Sequence, residues 1–262
     1  MSTQASLPHL LQRLHRGAAG WLQSWWRLTQ FAVLMFSVAL TPASYGRERR
    51  PVLARHLVSD TVPNLAWYGV LSALVSLVLI RIVVVTSQSY GLSRYALEMV
   101  VRVLVLELIP LTAAAFVALR TTLPAGLEFA QGRSAGRQVS MLELHREFFP
   151  RVAAGVFAVW MLAAVSCVLT LILTYLSLYG FTPWALAGYT RVVGQVFNPA
   201  VTMILALKIV FFSFAVGLIP MASSFYFGEN YRNKVSHGLS DMVRLFAVML
   251  LIEVASLMGN YY

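Results

Sequence analysis

Five stretches of the chain are apolar and long enough to cross a lipid bilayer, and they constrain the fold more than any other feature. They cover residues 63–86, 95–119, 152–178, 196–222 and 239–259. A membrane span needs about 20 mostly apolar residues. Stretches of this length must be helical, because no water in lipid satisfies an open backbone. We therefore predict an all-α integral membrane protein with five transmembrane helices.

The composition excludes several other classes of protein. Of the 262 residues, 59% are hydrophobic and only 11% are charged, whereas soluble domains are roughly 25% charged. An ordinary soluble enzyme and a disordered tail are therefore excluded. Cys167 is the only cysteine, so no disulfide framework forms within the chain.

A sixth apolar run, residues 31–40, is too short to cross the membrane alone. Arginines stand on both sides of it: Arg13, Arg16 and Arg27 before, and Arg47, Arg49, Arg50 and Arg55 after. We predict that residues 5–42 form helices on or in the cytoplasmic leaflet, within an amphipathic N-terminal region 1–62 that precedes a five-span domain 63–262. An uncleaved signal-like anchor is the alternative interpretation.

The basic residues alternate from loop to loop and predict an orientation. The N-terminal region holds seven arginines, the next loop only Arg94, and the segment 120–151 five more. The following loop holds only Arg191, and the next has Arg232 and Lys234. Since basic loops stay in the cytoplasm, we predict a cytoplasmic N-terminus and a C-terminus on the outside.

Several ionisable residues lie inside the predicted spans, where charge is costly. Glu98 and Arg102 are spaced for a pair on one helix. By depth, we expect Glu107 to pair with Lys208, and Arg102 with Glu253. Such pairs either fix the helix register or line a polar path for the substrate, and both interpretations stay open.

The segment 120–151 is predicted to be a cytoplasmic docking element. Its last part places Val139, Met141, Leu142, Leu144 and Phe148 among charged residues, which is typical of a short amphipathic helix, and Ser140 with Glu143 matches a capping box. A soluble partner could dock on such a helix; the alternative is a helix lying on the membrane surface.

Motifs for independent catalysis are missing from the sequence. There is no phosphate-binding G-x-x-x-x-G-K-[ST] loop, no H-E-x-x-H metal motif and no G-x-S-x-G elbow. The sequence thus offers no support for an intramembrane enzyme, and none for a nucleotide site of its own.

Residues 106–110, Leu-Glu-Leu-Ile-Pro, resemble the R-E-L-G-P motif of the MlaE/YrbE family of ABC-transporter permeases. Leu106 and Ile109 replace the arginine and the glycine, while Glu107 and Pro110 match. Arg120 and Glu128 follow at the family's spacing, and Met141-Leu-Glu143 and Leu207-Lys208 fall where the family has similar runs.

This resemblance implies a noncatalytic permease subunit that moves lipids, phospholipids above all, between the bacterial inner membrane and a periplasmic MCE-domain protein. Two permease copies would form a homodimer, and a separate cytoplasmic ATPase would bind ATP and Mg²⁺. No cofactor, metal or nucleic acid is expected on this chain. The resemblance implies coupling to the ATPase through a set of residues in the cytoplasmic segment: Arg137, Met141, Glu143, Leu144, His145 and Glu147.

The expected substrate path comprises Glu98, Arg102, Glu107, Lys208 and Glu253. The alternative function is a stand-alone secondary transporter or channel, in which the charged residues of the second and fourth spans carry an ion or a proton.

Overall fold

The chain is built from helices. The computed structural model describes residues 7–42, 46, 50–92, 95–132, 143–226 and 234–261, and within these ranges it contains no strand. The helices are α1 (Leu7–Leu40), α2 (Arg50–Ser89), α3 (Ala96–Phe129), α4 (Leu144–Tyr179), α5 (Leu186–Val196), α6 (Pro199–Tyr226) and α7 (Lys234–Tyr261). The all-α prediction is confirmed.

Five of these helices, α2, α3, α4, α6 and α7, are long and apolar enough to cross a membrane. Each overlaps one of the five predicted spans, so the predicted number of spans is confirmed. Helix α6 begins at Pro199, three residues after the predicted start of its span. Helix α2 begins at Arg50 and runs through Pro63 without a break. The division of the chain at residues 62 and 63 therefore coincides with no change in secondary structure and stays a prediction.

Helix α1 is one continuous helix of 34 residues, where the sequence predicted several. Its apolar residues Phe31, Met35 and Val38 pack on the start of α4 and on the end of α6. We call this end of the bundle the α1 end. The location of α1 on the membrane surface stays a prediction.

Small polar side chains lie between α2 and α4. Ser72 and Ser76 of α2 are buried, as are Ser166 and Thr170 of α4, and the hydroxyls of Ser76 and Thr170 lie 2.8 Å apart. Small and hydroxyl side chains let membrane helices approach closely and bond across the interface. This polar contact fixes α2 against α4.

Glycines allow α3, α4 and α6 to pack tightly towards the α1 end. A Cβ atom on Gly126 of α3 would lie 2.9 Å from the carbonyl oxygen of Pro220 in α6. One on Gly217 of α6 would lie 3.1 Å from the carbonyl oxygen of Val152 in α4. The backbones of these three helices thus meet without intervening side chains.

Helix α3 contains two π-helical segments, Val101–Leu108 and Ala118–Thr122, on either side of the regular turns Ile109–Val117. π-helical turns are rare and occur frequently at functional sites. The first segment contains Glu107, so it shapes the region with the buried charges.

Helix α5 is a short amphipathic helix that the sequence interpretation missed. It buries Tyr189 and Val196, and the Tyr189 hydroxyl donates to the carbonyl of Leu171 at 2.7 Å. Burial, with a smaller contribution from Tyr179, raises the pKa of Tyr189 to about 12, so this hydroxyl remains a donor at neutral pH. The helical spacing of its apolar residues was the available sequence signal.

Candidate functional site

The ammonium group of Lys208 lies between two carboxylates from two other helices. Its side chain is 1% exposed, and its Nζ contacts Oε2 of Glu107 and, at 2.9 Å, Oε2 of Glu253. The carboxylate side chains are 13% and 12% exposed. The predicted contact between Glu107 and Lys208 is confirmed and joins α3 to α6. The contact with Glu253 adds α7.

The predicted contact between Arg102 and Glu253 is wrong. Arg102 binds Glu98 on its own helix, with Nη2 3.0 Å from Oε1, in a pair whose side chains are 37% and 40% exposed. The i,i+4 spacing brings these two side chains together. Because α7 packs against α6, Glu253 lies beside Lys208 instead.

A third contact of Lys208 is with a backbone carbonyl. The carbonyl of Leu106 lies in the π-helical segment Val101–Leu108, where the N–H of Ile109 bonds to the carbonyl of Leu104. Lys208 Nζ donates to the Leu106 carbonyl at 3.1 Å. The segment around Glu107 thus binds this cation twice, through the Glu107 carboxylate and through the Leu106 carbonyl.

Asn260, near the end of α7, completes the group, since its Nδ2 donates to Oε1 of Glu107 at 3.2 Å. We call Glu107, Lys208, Glu253 and Asn260 the buried ion cluster. The Phe212 ring, 5.9 Å from Nζ, adds a cation–π contact. With two carboxylates for one ammonium, the cluster carries a formal excess of negative charge. Asn260 was not identified from the sequence as part of this group, because only ionisable side chains within the spans were considered.

The arrangement supplies charge and hydrogen bonding inside the membrane, and no metal site is evident. Within the part of the chain that the structure describes, no three His, Cys, Asp or Glu side chains are grouped to hold a metal ion. Buried charges of this kind persist only when paired, and they mark substrate or ion paths in membrane proteins. The cluster can therefore fix three helices against one another and hold charge within the bundle.

The remaining motif residues lie elsewhere. Arg120 is exposed, with its guanidinium 6.0 Å from the centre of the Phe116 ring. Glu128 is 74% exposed and lies 4.0 Å from Arg151. Glu128 is separated from Glu107 by about 30 Å along α3, so the structure does not bring Arg120 or Glu128 to the buried ion cluster.

The proposed coupling residues fall into three groups. Arg137 and Met141 lie outside the described residues. Leu144 is 2% exposed and packs with Phe148 in the apolar core at the α1 end, so within this fold it offers no surface to a partner. Glu143 and His145 are partly exposed, and Glu147 is exposed.

One family of known proteins matches most of the chain. The family model described as Permease MlaE matches residues 53–258, more than three quarters of the length. The matched range begins within α2 and ends within α7, so it includes all or most of each of the five helices that are long enough to cross a membrane. A search of curated proteins finds no relative of the chain.

Proposed function

Because the chain belongs to the MlaE permease family, and is thus a membrane permease of an ABC-type lipid transporter, we propose that it conducts phospholipids between the inner membrane and a periplasmic MCE-domain protein. The chain itself is noncatalytic in this proposal. A separate cytoplasmic ATPase supplies the energy, since the sequence has no phosphate-binding loop.

The buried ion cluster is the observation that carries this proposal. A charged group in hydrocarbon is expensive, yet Lys208 is almost fully buried and touches α3 and α7 at once. We propose that the cluster lies beside the cargo path, where the phosphate or amine of a headgroup approaches it. Glu98 and Arg102, which are more exposed, extend the same path along α3.

The proposed assembly places a partner at each end of the bundle. The ATPase docks at the α1 end through Glu143, His145 and Glu147, in a cytoplasmic orientation that follows from the distribution of arginines. The MCE-domain protein lies at the opposite end, and a second permease copy completes a homodimer.

Transport by the reconstituted assembly tests the proposal. The tagged chain is purified from its native membranes together with its bound proteins, which are identified by mass spectrometry. We expect an ATPase and an MCE-type protein. In liposomes this assembly should move a fluorescent phospholipid only with ATP and Mg²⁺, and Lys208→Met should slow the movement. Arg191→Gln, which replaces an exposed arginine of α5, is the control. Full-rate movement by the chain alone would contradict the proposal.

The excess carboxylate of the cluster favours one alternative, a secondary transporter driven by protons or cations. In that case the purified chain alone would respond to an imposed ion gradient, and removal of ATP would have no effect. The same liposomes distinguish the two functions, because the gradient and the nucleotide are varied separately.

A further inference from the structure

An apolar groove lies between α1, α4 and α6, apart from the buried ion cluster. Its volume is about 680 Å³, within the range of ligand pockets. Its lining is wholly apolar and rich in aromatic rings, and it includes Phe36, Phe149, Val156, Phe157, Trp160 and Phe211.

The groove is closed at its floor and open at its side. Met35, Phe149 and Val152 are 3%, 6% and 7% exposed and form the floor. Phe36 and Phe211, at the rim, are 60% and 50% exposed. In a membrane this rim faces hydrocarbon, so an apolar molecule enters from the side.

The depth of the groove distinguishes between possible occupants. Along α4 its lining extends from Phe149 to Trp160, a rise of about 16 Å at about 1.5 Å per residue. The hydrocarbon core is about 30 Å thick, so the groove covers one leaflet. A partner's membrane-spanning helix would need a surface about twice as deep, whereas a lipid acyl chain belongs to a single leaflet.

A cationic side chain precedes the groove lining along α4. Arg146 is exposed, one helical turn before Phe149, and forms no ion pair with the residues that the structure describes. A lipid phosphate at the level of the membrane surface would find this guanidinium beside an acyl chain held in the groove.

We propose that the groove between α1, α4 and α6 binds the acyl chain of a phospholipid from the leaflet at the α1 end, with Arg146 contacting its phosphate. Calling this leaflet cytoplasmic rests on the orientation proposed above; the binding itself does not. The site would hold one lipid against α1, independently of the cluster formed by Lys208.

Photolabelling tests the site on the full chain in phosphatidylcholine vesicles. One probe is phosphatidylglycerol with a diazirine on one acyl chain, and a second is diacylglycerol with the same diazirine, which lacks the phosphate. Labelled residues are mapped by mass spectrometry. We expect both probes to label Phe157, Trp160 and Phe211 more strongly than Val168, which is 58% exposed on the same helix α4.

Two variants separate the acyl chain from the phosphate. Arg146→Gln should lower groove labelling by phosphatidylglycerol about threefold, the effect of losing one exposed charge contact, without changing labelling by diacylglycerol. Arg81→Gln, an exposed arginine towards the other end of α2, is the control. Val156→Trp should fill the groove and reduce labelling by both probes.

Three results would overturn the site. Labelling of the groove no stronger than that of Val168 would exclude a bound acyl chain. Equal effects of Arg146→Gln and Arg81→Gln on labelling would exclude the phosphate contact. Because the Arg146 side chain is exposed, the Arg146→Gln variant should fold normally. Cross-linking of the groove to another protein, or to a second copy, in native membranes would assign the groove to that occupant. Each readout is binding, so failure here leaves ATP-driven transport unaffected.

Discussion

Lys208 shows how a single side chain organises the centre of the bundle. Its ammonium reaches two carboxylates and one backbone carbonyl, each on a helix other than its own. Removing one partner of a buried pair costs far more than removing an exposed one, because a charge is left uncompensated. Replacing the cation by methionine should therefore lower stability more at Lys208 than at Arg102.

Lys208→Met should destabilise the protein by about 3–5 kcal/mol, because Glu107 and Glu253 are then left without a cation. Adding Glu253→Gln to Lys208→Met should recover part of this loss, since one of the two facing carboxylates is neutralised. Thermal unfolding of the detergent-purified chain gives both values. Arg102→Met is the matched control and should have a smaller effect, because its pair is exposed. Equal losses for the two single variants would show that the buried ion cluster adds no more stability than the exposed pair of Arg102 and Glu98.

Residue-level prediction from the sequence succeeded where depth along a helix was sufficient. The contact of Glu107 with Lys208 followed from their similar depth. The partner of Glu253 could not be predicted in the same way, because depth gives no information on which face of α7 meets α6. Nor does charge counting reveal that Lys208 donates to the Leu106 carbonyl, because this contact depends on the path of the backbone.

At the scale of elements, hydropathy predicts where helices cross the membrane but not how they touch. The spans were found because each apolar run is long. The π-helical segments of α3, and the close contact of its Gly126 with Pro220, depend on neighbouring helices and have no local sequence signal. The burial of Leu144 likewise depends on α1, which covers that end of the bundle.

Gly126→Ala should destabilise the bundle by about 1–3 kcal/mol, because the new Cβ would meet the Pro220 carbonyl at 2.9 Å and force α3 away from α6. Gly69→Ala in α2 is the matched control, since a Cβ there meets nothing within 4 Å, and alanine favours the helix. Unfolding temperatures should therefore move in opposite directions. A neutral Gly126→Ala would mean that these two helices are not in close contact.

Glu147→Lys should weaken binding of the proposed ATPase, because Glu147 is exposed at the start of α4 and the change reverses its charge. Co-purification of the ATPase with the tagged chain measures the effect. Gln195→Lys introduces the same side chain on exposed α5, at the other end of the bundle, and should leave the ATPase bound. If both variants retain it equally, Glu147 lies outside the docking surface.

At the scale of the whole molecule, burial is distributed unevenly among the spans. In the most apolar part of each span, 56% of the residues of α3 are buried, but only 17% of the residues of α7 are buried. Helix α7 packs mainly against α6, and its outward residues Leu250, Leu251 and Val254 are exposed. Lipid covers such a face in a monomer, and a second copy covers it in the proposed homodimer.

The uneven burial leads to a prediction about assembly. Leu251→Cys, in a background with Cys167→Ala, should form a disulfide-linked dimer under mild oxidation in native membranes, because Leu251 is 71% exposed on the least buried span. Val168→Cys is the control, since it is exposed on α4, whose outer face has no assigned partner. Gel mobility without reductant measures both. Cross-linking at Val168 alone would assign the homodimer contact to α4, and the absence of any α7 cross-link would leave lipid as the neighbour of Leu251.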